Sequence, residues 1–286
     1  MQNHIQLTEI DLYFPQLPAF LENRRILHIS DLHCLGFGPK EQSIQKIMRE
    51  PADLLLCTGD ACYQFRVANP FLDDKHDEHT PRCGLTRRGL TLRPKTRQAI
   101  EVFSRLMENT RFPLGAYFVQ GNHDSREFLE YLPKLGLIHL QNEYRPIAVS
   151  PAQQFNLCGL RCENRRTPDV PTALASADPK LFTIGLSHYP EFGEPLAAGG
   201  ADLILCGHTH GGQICLPSGR PLSTHSRTGQ KYASGLTGFN HSYIYTTRGV
   251  GFSMLHFRLF CPPEITRFTL HQGNAGQTRI STHTIT

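Results

Sequence analysis

The sequence predicts an α/β fold, because short buried strands alternate with amphipathic helices. Apolar residues recur three and four positions apart over residues 41–50 and 95–107, which is typical of helices with one buried face. Strands that alternate with helices pair mostly in parallel, and ligands gather outside the carboxyl ends of such strands. The predicted strands are the apolar runs RILHIS (25–30), DLLLCTG (53–59), GAYFVQG (115–121), LFTIGLS (181–187) and ADLILCG (201–207).

The last third of the chain has a different pattern. SYIYTTRG (242–249) and EITRFTL (264–270) are β-branched or aromatic runs with few helical signals between them, so they predict a second sheet packed on the first. The polar segment 271–286 is expected to fray as a tail. Residues 63–97 mix acidic, prolyl and basic residues without periodicity and are expected to form a surface insertion. We expect one domain over residues 1–270.

Composition narrows the class of protein. A content of 39% hydrophobic and 19% charged residues is typical of a globular chain, and no apolar run approaches the length of a membrane-spanning helix. The first residues lack the pattern of an export signal, so we expect a cytoplasmic protein, with peripheral contact at the inner membrane face left open. The nine cysteines form no CxxC pair and are expected to be reduced thiols. A net charge of +4 is too weak to indicate nucleic acid.

Carboxylate, imidazole and amide side chains stand at the ends of the five predicted strands. Any one of these motifs is more often a turn, a helix cap or a buried polar residue than a ligand. Five in succession favour a site for divalent cations such as Mn²⁺, Fe or Zn²⁺, which accept these ligand types. Strand alternation would send Asp31 and His33 to the same side. The strand ends supply, in order, Asp31 and His33, then Asp60, then Asn122 with His123 and Asp124, then His188, then His208 and His210.

The ordered motifs resemble those of the calcineurin-like metallophosphoesterases. They are DLH (31–33), GD (59–60), GNHD (121–124), SH (187–188) and GHTH (207–210). The resemblance implies a four-layer αββα sandwich of two mixed β-sheets flanked by helices. It also implies two ions that share the Asp60 carboxylate. In this arrangement Asp31, His33 and His210 complete the first ligand set, and Asn122, His188 and His208 complete the second.

Three longer strings, GHTHGGQICLP, TTRGVG and RLFCPPEI, are similar to one bacterial branch of that superfamily. The branch includes cell-envelope phosphodiesterases and a UDP-2,3-diacylglucosamine pyrophosphatase of lipid A synthesis. The resemblance also implies that His123 faces the phosphate, where it stabilises charge or protonates the leaving oxygen, and that Asp124 orients its imidazole. The alternatives are a packed histidine at position 123 and, for Asp124, an N-cap of the following helix.

Several further residues have two interpretations. Gly207, Gly211 and Gly212 either let the backbone approach the site closely or permit positive φ in a tight turn. Arg248 and Arg258 are either phosphate ligands or members of surface ion pairs. The insertion is either a lid over the substrate or a solvated loop.

The sequence therefore predicts a metal-dependent hydrolase of a phosphodiester or pyrophosphate, in which a hydroxide held between two ions attacks phosphorus in line. Mn²⁺ is the expected metal, with Fe or Zn²⁺ as alternatives. The resemblance implies a phosphorylated small molecule or nucleotide-linked lipid as substrate, with UDP-2,3-diacylglucosamine, cleaved to UMP and lipid X, as the specific candidate. A general phosphodiesterase or nuclease is the second hypothesis, and a non-catalytic protein-interaction scaffold is the third. Neither nucleic acid nor an obligate protein partner is expected.

Overall fold

The computed structural model describes residues 4–63, 94–162, 169–224, 226–253 and 255–285. Most of the predicted insertion, residues 64–93, lies outside them, so the lid and loop hypotheses stay predictions. The strands are β1 (Ile5–Phe14), β2 (Arg25–Ile29), β3 (Leu54–Cys57), β4 (Ala116–Val119), β5 (Ile138–Leu140), β6 (Glu143–Ser150), β7 (Gln153–Gly159), β8 (Thr183–Ser187), β9 (Leu203–Cys206), β10 (Gly235–Phe239), β11 (Ser242–Thr246), β12 (Glu264–Gln272) and β13 (Arg279–Ile285). The α-helices are α1 (Pro39–Met48), α2 (Pro94–Met107), α3 (Arg126–Tyr131), α4 (Val170–Leu174) and α5 (Gly193–Ala198).

The strands form two mixed sheets. The seven-stranded sheet has the order β13-β1-β12-β2-β3-β4-β5, and β2, β3, β4 and β5 pair in parallel. The six-stranded sheet has the order β10-β11-β9-β8-β7-β6, with parallel pairing from β11 to β7. The five strands predicted from the apolar runs between residues 25 and 207 are all present, as β2, β3, β4, β8 and β9.

Three apolar layers hold the sheets and helices together. Helices α1 and α2 pack on the outer face of the seven-stranded sheet, where Ile44 and Phe103 are fully buried. The inner faces of the two sheets meet in a second layer that includes Leu56 and Leu205. Helices α4 and α5 cover the outer face of the six-stranded sheet around Leu196. The chain is thus the four-layer αββα sandwich implied by the resemblance.

Two predictions for the C-terminal third were wrong. The run EITRFTL belongs to β12, which lies in the first sheet between β1 and β2 rather than in the second sheet. The segment expected to fray contains β13, which pairs antiparallel with β1 from Ile5↔Ile285 to Asp11↔Arg279. Residues of β13 are mostly exposed, so main-chain hydrogen bonds to β1 hold it in place rather than burial. An edge strand can therefore be polar on both faces, which its composition alone does not reveal.

Among the described residues, no helix combines the length and apolar composition needed to cross a bilayer. Every cysteine in the described part of the chain is buried and unpaired, in agreement with the prediction of reduced thiols. His28 lies in β2 and is fully buried. Its Nε2 lies 2.9 Å from Thr58 Oγ1, whereas its Nδ1 has no hydrogen-bond partner within the part of the chain that the structure describes.

Candidate metal centre and catalytic cleft

The predicted ligands come together because both sheets present the carboxyl ends of their central parallel strands at one edge of the sandwich. Asp31 follows β2, Asp60 follows β3, Asn122 follows β4, His188 follows β8 and His208 follows β9. The sequence did not reveal that the first three strands and the last two belong to different sheets. Two sheets facing each other place five loops around one cleft.

Five residues in these loops have left-handed backbone conformations. Non-glycine residues rarely adopt positive φ, because Cβ then crowds the neighbouring carbonyl. The D-x-H prediction was right about proximity but wrong about its cause, since β2 ends at Ile29 and strand alternation does not reach Asp31 and His33. Tight turns, rather than pleating, aim these side chains into the cleft. The five residues are Asp31 (φ 52°), His33 (φ 43°), Asp60 (φ 55°), His208 (φ 73°) and His210 (φ 52°).

Asp31, His33 and His210 form the first cluster of side chains that could hold a cation. One ligand atom from each lies within 4.8 Å of the other two. His33 Nε2 lies 3.1 Å from His210 Nε2, and His210 Nε2 lies 3.6 Å from Asp31 Oδ1. All three residues are buried. Nitrogen and oxygen atoms brought this close are a donor set that suits a divalent cation.

Asp60, His188 and His208 form the second cluster, again with ligand atoms within 4.8 Å of one another. Asn122 belongs to the same group, because its Oδ1 lies 3.0 Å from both His188 Nε2 and His208 Nδ1. Asp60 connects the two clusters. Its Oδ2 lies 3.4 Å from His188 Nε2 and 3.6 Å from His33 Nε2.

Hydrogen bonds behind the cluster orient two of the imidazoles. His33 Nδ1 lies 3.1 Å from the carbonyl oxygen of Cys62, and His188 Nδ1 lies 2.7 Å from that of Thr58. A carbonyl only accepts, so each Nδ1 donates and each Nε2 is turned toward the centre. Such contacts fix ring orientation and tautomer in metal sites.

Burial and mutual charge set the ionisation of the cluster. Burial lowers the pKa of His33 to about 4, so this ring is neutral at pH 7. Burial raises the pKa of Asp31 to about 6. Burial alone would lower the pKa of His188, but the Asp60 carboxylate raises it to about 9. The charge of His188 in turn holds the pKa of Asp60 well below its usual value despite burial. Binding of a cation at His188 therefore releases a proton.

Two glycines let the loops approach the carboxylates. A Cβ at position 207 would lie 2.6 Å from Asp31 Oδ2, and one at position 121 would lie 2.1 Å from Asp60 Oδ1. Neither glycine has positive φ, so close approach is the reason for both. Gly211 and Gly212 combine positive φ with crowding, so both interpretations of these two residues apply.

His123 faces a cleft of about 490 Å³ whose lining includes Asp60, His208 and His210. Its side chain is 30% exposed, and its Nε2 lies 4.0 Å from Asp60 Oδ2. The backbone N–H of His123 donates to Asp60 Oδ1 at 2.8 Å. The ring thus borders both the clusters and the open space, as a residue that contacts a bound phosphate must.

Asp124 does not have either predicted role. Ser125, not Asp124, caps α3, with its side chain accepting from Phe128 N. Both carboxylate oxygens of Asp124 accept backbone N–H groups rather than orienting the ring of His123. Oδ1 accepts from Ala61 and Cys62, and Oδ2 accepts from Asp60 and Gly121, at 2.8–3.1 Å. Asp124 therefore fixes the loop that carries Asp60.

Arg258 is neither a phosphate ligand nor a surface residue. It is only 4% exposed, and its guanidinium donates to the carbonyl oxygens of Gly251, His210 and Arg248. Its Nη2 also lies 3.2 Å from His210 Nδ1. The side chain thus ties the GHTH loop to the chain that follows β11.

Arg248 pairs with a buried carboxylate, Glu264, at 2.9 Å, so this pair is internal rather than at the surface.

The sequence analysis missed two other residues at the site, Tyr189 and Gln213. The ring centroid of Tyr189 lies 4.3 Å from that of His208, edge to face. Gln213, which is buried, donates to the carbonyl oxygens of Leu255 and Phe257. A tyrosine directly after the SH motif was the one available signal for Tyr189.

The two clusters, at the carboxyl edges of facing sheets, define the class of the molecule as a metal-dependent phosphoester hydrolase. The chain belongs to the calcineurin-like phosphoesterase family, which it matches over residues 24–212.

Three relatives place the chain within that family. The metallophosphoesterase YkuE of Bacillus subtilis is 26% identical in an alignment of 278 positions that covers 94% of this chain and 87% of YkuE. The phosphodiesterase YaeI of Escherichia coli is 37% identical in an alignment of 158 positions that covers 52% of this chain and 56% of YaeI. The UDP-2,3-diacylglucosamine pyrophosphatase LpxG of Chlamydia muridarum is 26% identical in an alignment of 299 positions that covers 92% of this chain and 88% of LpxG.

Proposed function

We propose that this protein hydrolyses a phosphodiester or pyrophosphate with two divalent cations, Mn²⁺ first among them, that share Asp60. Asp31, His33 and His210 would complete the first ligand set, and Asn122, His188 and His208 the second. The observation that carries the proposal is the convergence of these seven side chains from five distant loops. When bound, the cations would activate a water and neutralise charge on the phosphate.

The donor chemistry fits this assignment. The candidate ligands offer imidazole nitrogen, carboxylate oxygen and one amide oxygen, and the clusters contain no thiolate. Ring orientation by the carbonyl oxygens of Thr58 and Cys62 supports the same assignment, because it points Nε2 of His188 and His33 at the shared carboxylate.

The other residues of the cleft have separate tasks. His123 contacts the phosphate and either stabilises its charge or gives a proton to the leaving oxygen. Asp124 acts indirectly, by holding the backbone on both sides of Asp60. Phosphoryl transfer depends mainly on positioning and charge stabilisation, so a rigid loop at Asp60 matters more than an additional acid or base.

UDP-2,3-diacylglucosamine, cleaved to UMP and lipid X, is the specific substrate we propose. Similarity to LpxG over most of both chains supports it. The cleft supports it as well, because its lining combines apolar Ile214, Leu222 and Leu255 with the candidate ligands Asp60, His208 and His210. A cleft lined by both polar and apolar side chains suits a phosphate attached to an acylated sugar.

The test is an activity panel on metal-stripped protein reloaded with Mn²⁺, Zn²⁺ or Fe²⁺. Substrates are a phosphomonoester, bis(p-nitrophenyl) phosphate and UDP-2,3-diacylglucosamine, with UMP release measured for the last. We expect diester and UDP-lipid turnover with Mn²⁺, a large loss in Asp60→Asn, and a reduced kcat with retained metal binding in His123→Ala. Glu130→Gln, at a surface ion pair with Arg126, is the matched control. Full activity in stripped protein or in Asp60→Asn would contradict the proposal.

A further inference from the structure

An apolar patch borders the catalytic cleft, whose lining includes Leu222 and Leu255. It consists of six residues in two segments that follow the GHTH motif and β11. Side chains of this size are normally buried, and a contiguous exposed group of them marks an interaction surface. The patch residues and their exposed fractions are Leu216 (45%), Leu222 (64%), Leu255 (47%), Phe257 (52%), Leu259 (45%) and Phe260 (55%).

The two segments form one surface because they are hydrogen-bonded to each other. Cys215 N donates to Leu259 O at 2.9 Å, and Leu259 N donates to Gln213 O at 3.0 Å. Leu222 N donates to Ile214 O at 3.1 Å, which brings the second half of the first segment against this pair. Main-chain pairing of this kind holds the apolar side chains outward in a fixed arrangement.

In the segment 255–260 the charged side chain is buried and the large apolar side chains are exposed, the reverse of the usual arrangement. Arg258 points inward and is 4% exposed, whereas the leucine and phenylalanine residues on both sides of it face outward. Burying a guanidinium costs free energy, and exposing leucine and phenylalanine to water forfeits hydrophobic stabilisation. The buried guanidinium and the exposed apolar side chains are both consistent with a segment whose outer face contacts an apolar phase instead of water.

The basic residues in the two patch segments favour an anionic partner. From Leu203 to Pro263 the chain contains no Asp or Glu, and its charged residues are Arg220, Arg227, Lys231, Arg248 and Arg258. Lys231 and Arg248 are paired with Glu194 and Glu264, whereas Arg220 and Arg227 are exposed and their guanidinium groups make no ion pair within the described residues. Arg220 Nε donates to Gln230 Oε1 at 2.8 Å, and the backbone N–H of Arg227 donates to Glu191 Oε1 at 2.7 Å. Arg220 lies in the turn between Leu216 and Leu222, where a long side chain can reach lipid headgroups while the leucines insert.

We propose that the apolar patch inserts into an anionic phospholipid surface and presents the cleft to a phosphoester at that surface. The patch continues into the cleft, because Leu222 and Leu255 belong to both. This inference rests on the proposed function only in that the site then acts on a lipid-linked phosphoester. Binding of the patch to lipid is independent of turnover.

The test is flotation of the full chain with vesicles of phosphatidylcholine, with and without 30% phosphatidylglycerol. We expect the wild type to bind the anionic vesicles and a Phe257→Ser, Phe260→Ser double variant to bind at least about tenfold more weakly. Neither phenylalanine lines the cleft, so turnover of bis(p-nitrophenyl) phosphate in solution stays within about twofold of wild type. Ile280→Ser, on β13, removes an equally exposed apolar residue (56%) outside the patch and is the matched control.

Arg220→Glu tests the charge argument. We expect it to weaken binding to the anionic vesicles and to leave the weaker binding to neutral vesicles unchanged. Equal vesicle binding by the wild type and the double variant, or no binding by either, would overturn the proposal. So would sedimentation velocity showing a wild-type dimer and a monomeric double variant without vesicle binding, which would make the patch a self-association surface. Vesicle binding without hydrolysis of any phosphoester would refute the proposed function but would still support the proposal that the patch binds lipid.

Discussion

Asp124→Asn separates a positioning role for this residue from a catalytic one. The substitution keeps shape and volume but replaces one carboxylate oxygen with an NH₂ group. In the wild type each oxygen accepts two backbone N–H groups, so the amide oxygen can serve one pair only. The other two N–H groups then face a donor in a buried position.

The cost follows from those two contacts. Leaving a buried donor unsatisfied costs about 1–3 kcal/mol, so two of them cost roughly 2–4 kcal/mol after local relaxation. A chain of 286 residues has an unfolding entropy of about 0.6 kcal/mol/K near its midpoint. The expected loss in Tm is therefore about 3–7 °C. Because the affected N–H groups lie on both sides of Asp60, Mn²⁺ affinity falls as well.

The assay combines thermal unfolding, calorimetric Mn²⁺ titration and the pH profile of kcat. We expect lower Tm, weaker Mn²⁺ binding and an unchanged profile shape at saturating metal. Ser125→Ala, which removes the neighbouring helix cap, is the control and should cost about 1 kcal/mol without changing Mn²⁺ affinity. Wild-type Tm and Mn²⁺ affinity together with a shifted kcat profile would refute this reasoning and restore the orienting role toward His123.

Three other substitutions test the surroundings of the site. Arg258→Gln leaves buried carbonyl oxygens without their donor and should cost at least about 3 kcal/mol in urea unfolding, and Arg258→Lys should not rescue it, because an ammonium cannot span the same acceptors. His28→Gln should flatten the acid dependence of stability. Burial lowers the pKa of His28 to about 3, so the unfolded chain takes up its proton first and stability falls as pH drops below about 6.5. Between pH 7 and pH 5 the wild type should lose about 2 kcal/mol more than the variant, and parallel curves would contradict this assignment. Gly207→Ala should displace Asp31 and weaken Mn²⁺ binding, whereas Gly276→Ala, where a Cβ meets nothing within 4 Å, should not.

The sequence predicted the existence of the central strands but not their arrangement. Runs such as those of β3 and β9 are buried on both faces. A uniformly apolar run predicts a strand but does not indicate which strand lies beside it. The sheet to which β12 belongs is decided by its contacts with β1 and β2, which are far away in sequence. The polar composition of β13 did not indicate an edge strand, because its partner β1 is also far away in sequence.

At the site, the residue types and their order sufficed to predict which side chains converge. The roles of Asp124 and Arg258 could not be predicted, because both depend on backbone groups brought near by folding. Asp124 contacts amides more than 60 positions away, and Arg258 contacts a carbonyl 48 positions away. The apolar patch was hidden as well, since leucine and phenylalanine in a sequence indicate a core until their exposure is known.

The strained loops and the buried charges of the site are two parts of one arrangement. Left-handed backbone at Asp31, Asp60 and His210 costs about 1–2 kcal/mol per residue, and an isolated loop would relax. The Asp124 carboxylate holds the turn at Asp60 by accepting the Asp60 N–H, and the Arg258 guanidinium holds the turn at His210 by donating to the His210 carbonyl oxygen. A charged group forms stronger hydrogen bonds to the backbone than a neutral one, so a buried charge outside the clusters can maintain the strained turns that aim the ligands. Burial of Asp124 and Arg258 is thus explained by the backbone geometry that the clusters require, without any contact to substrate.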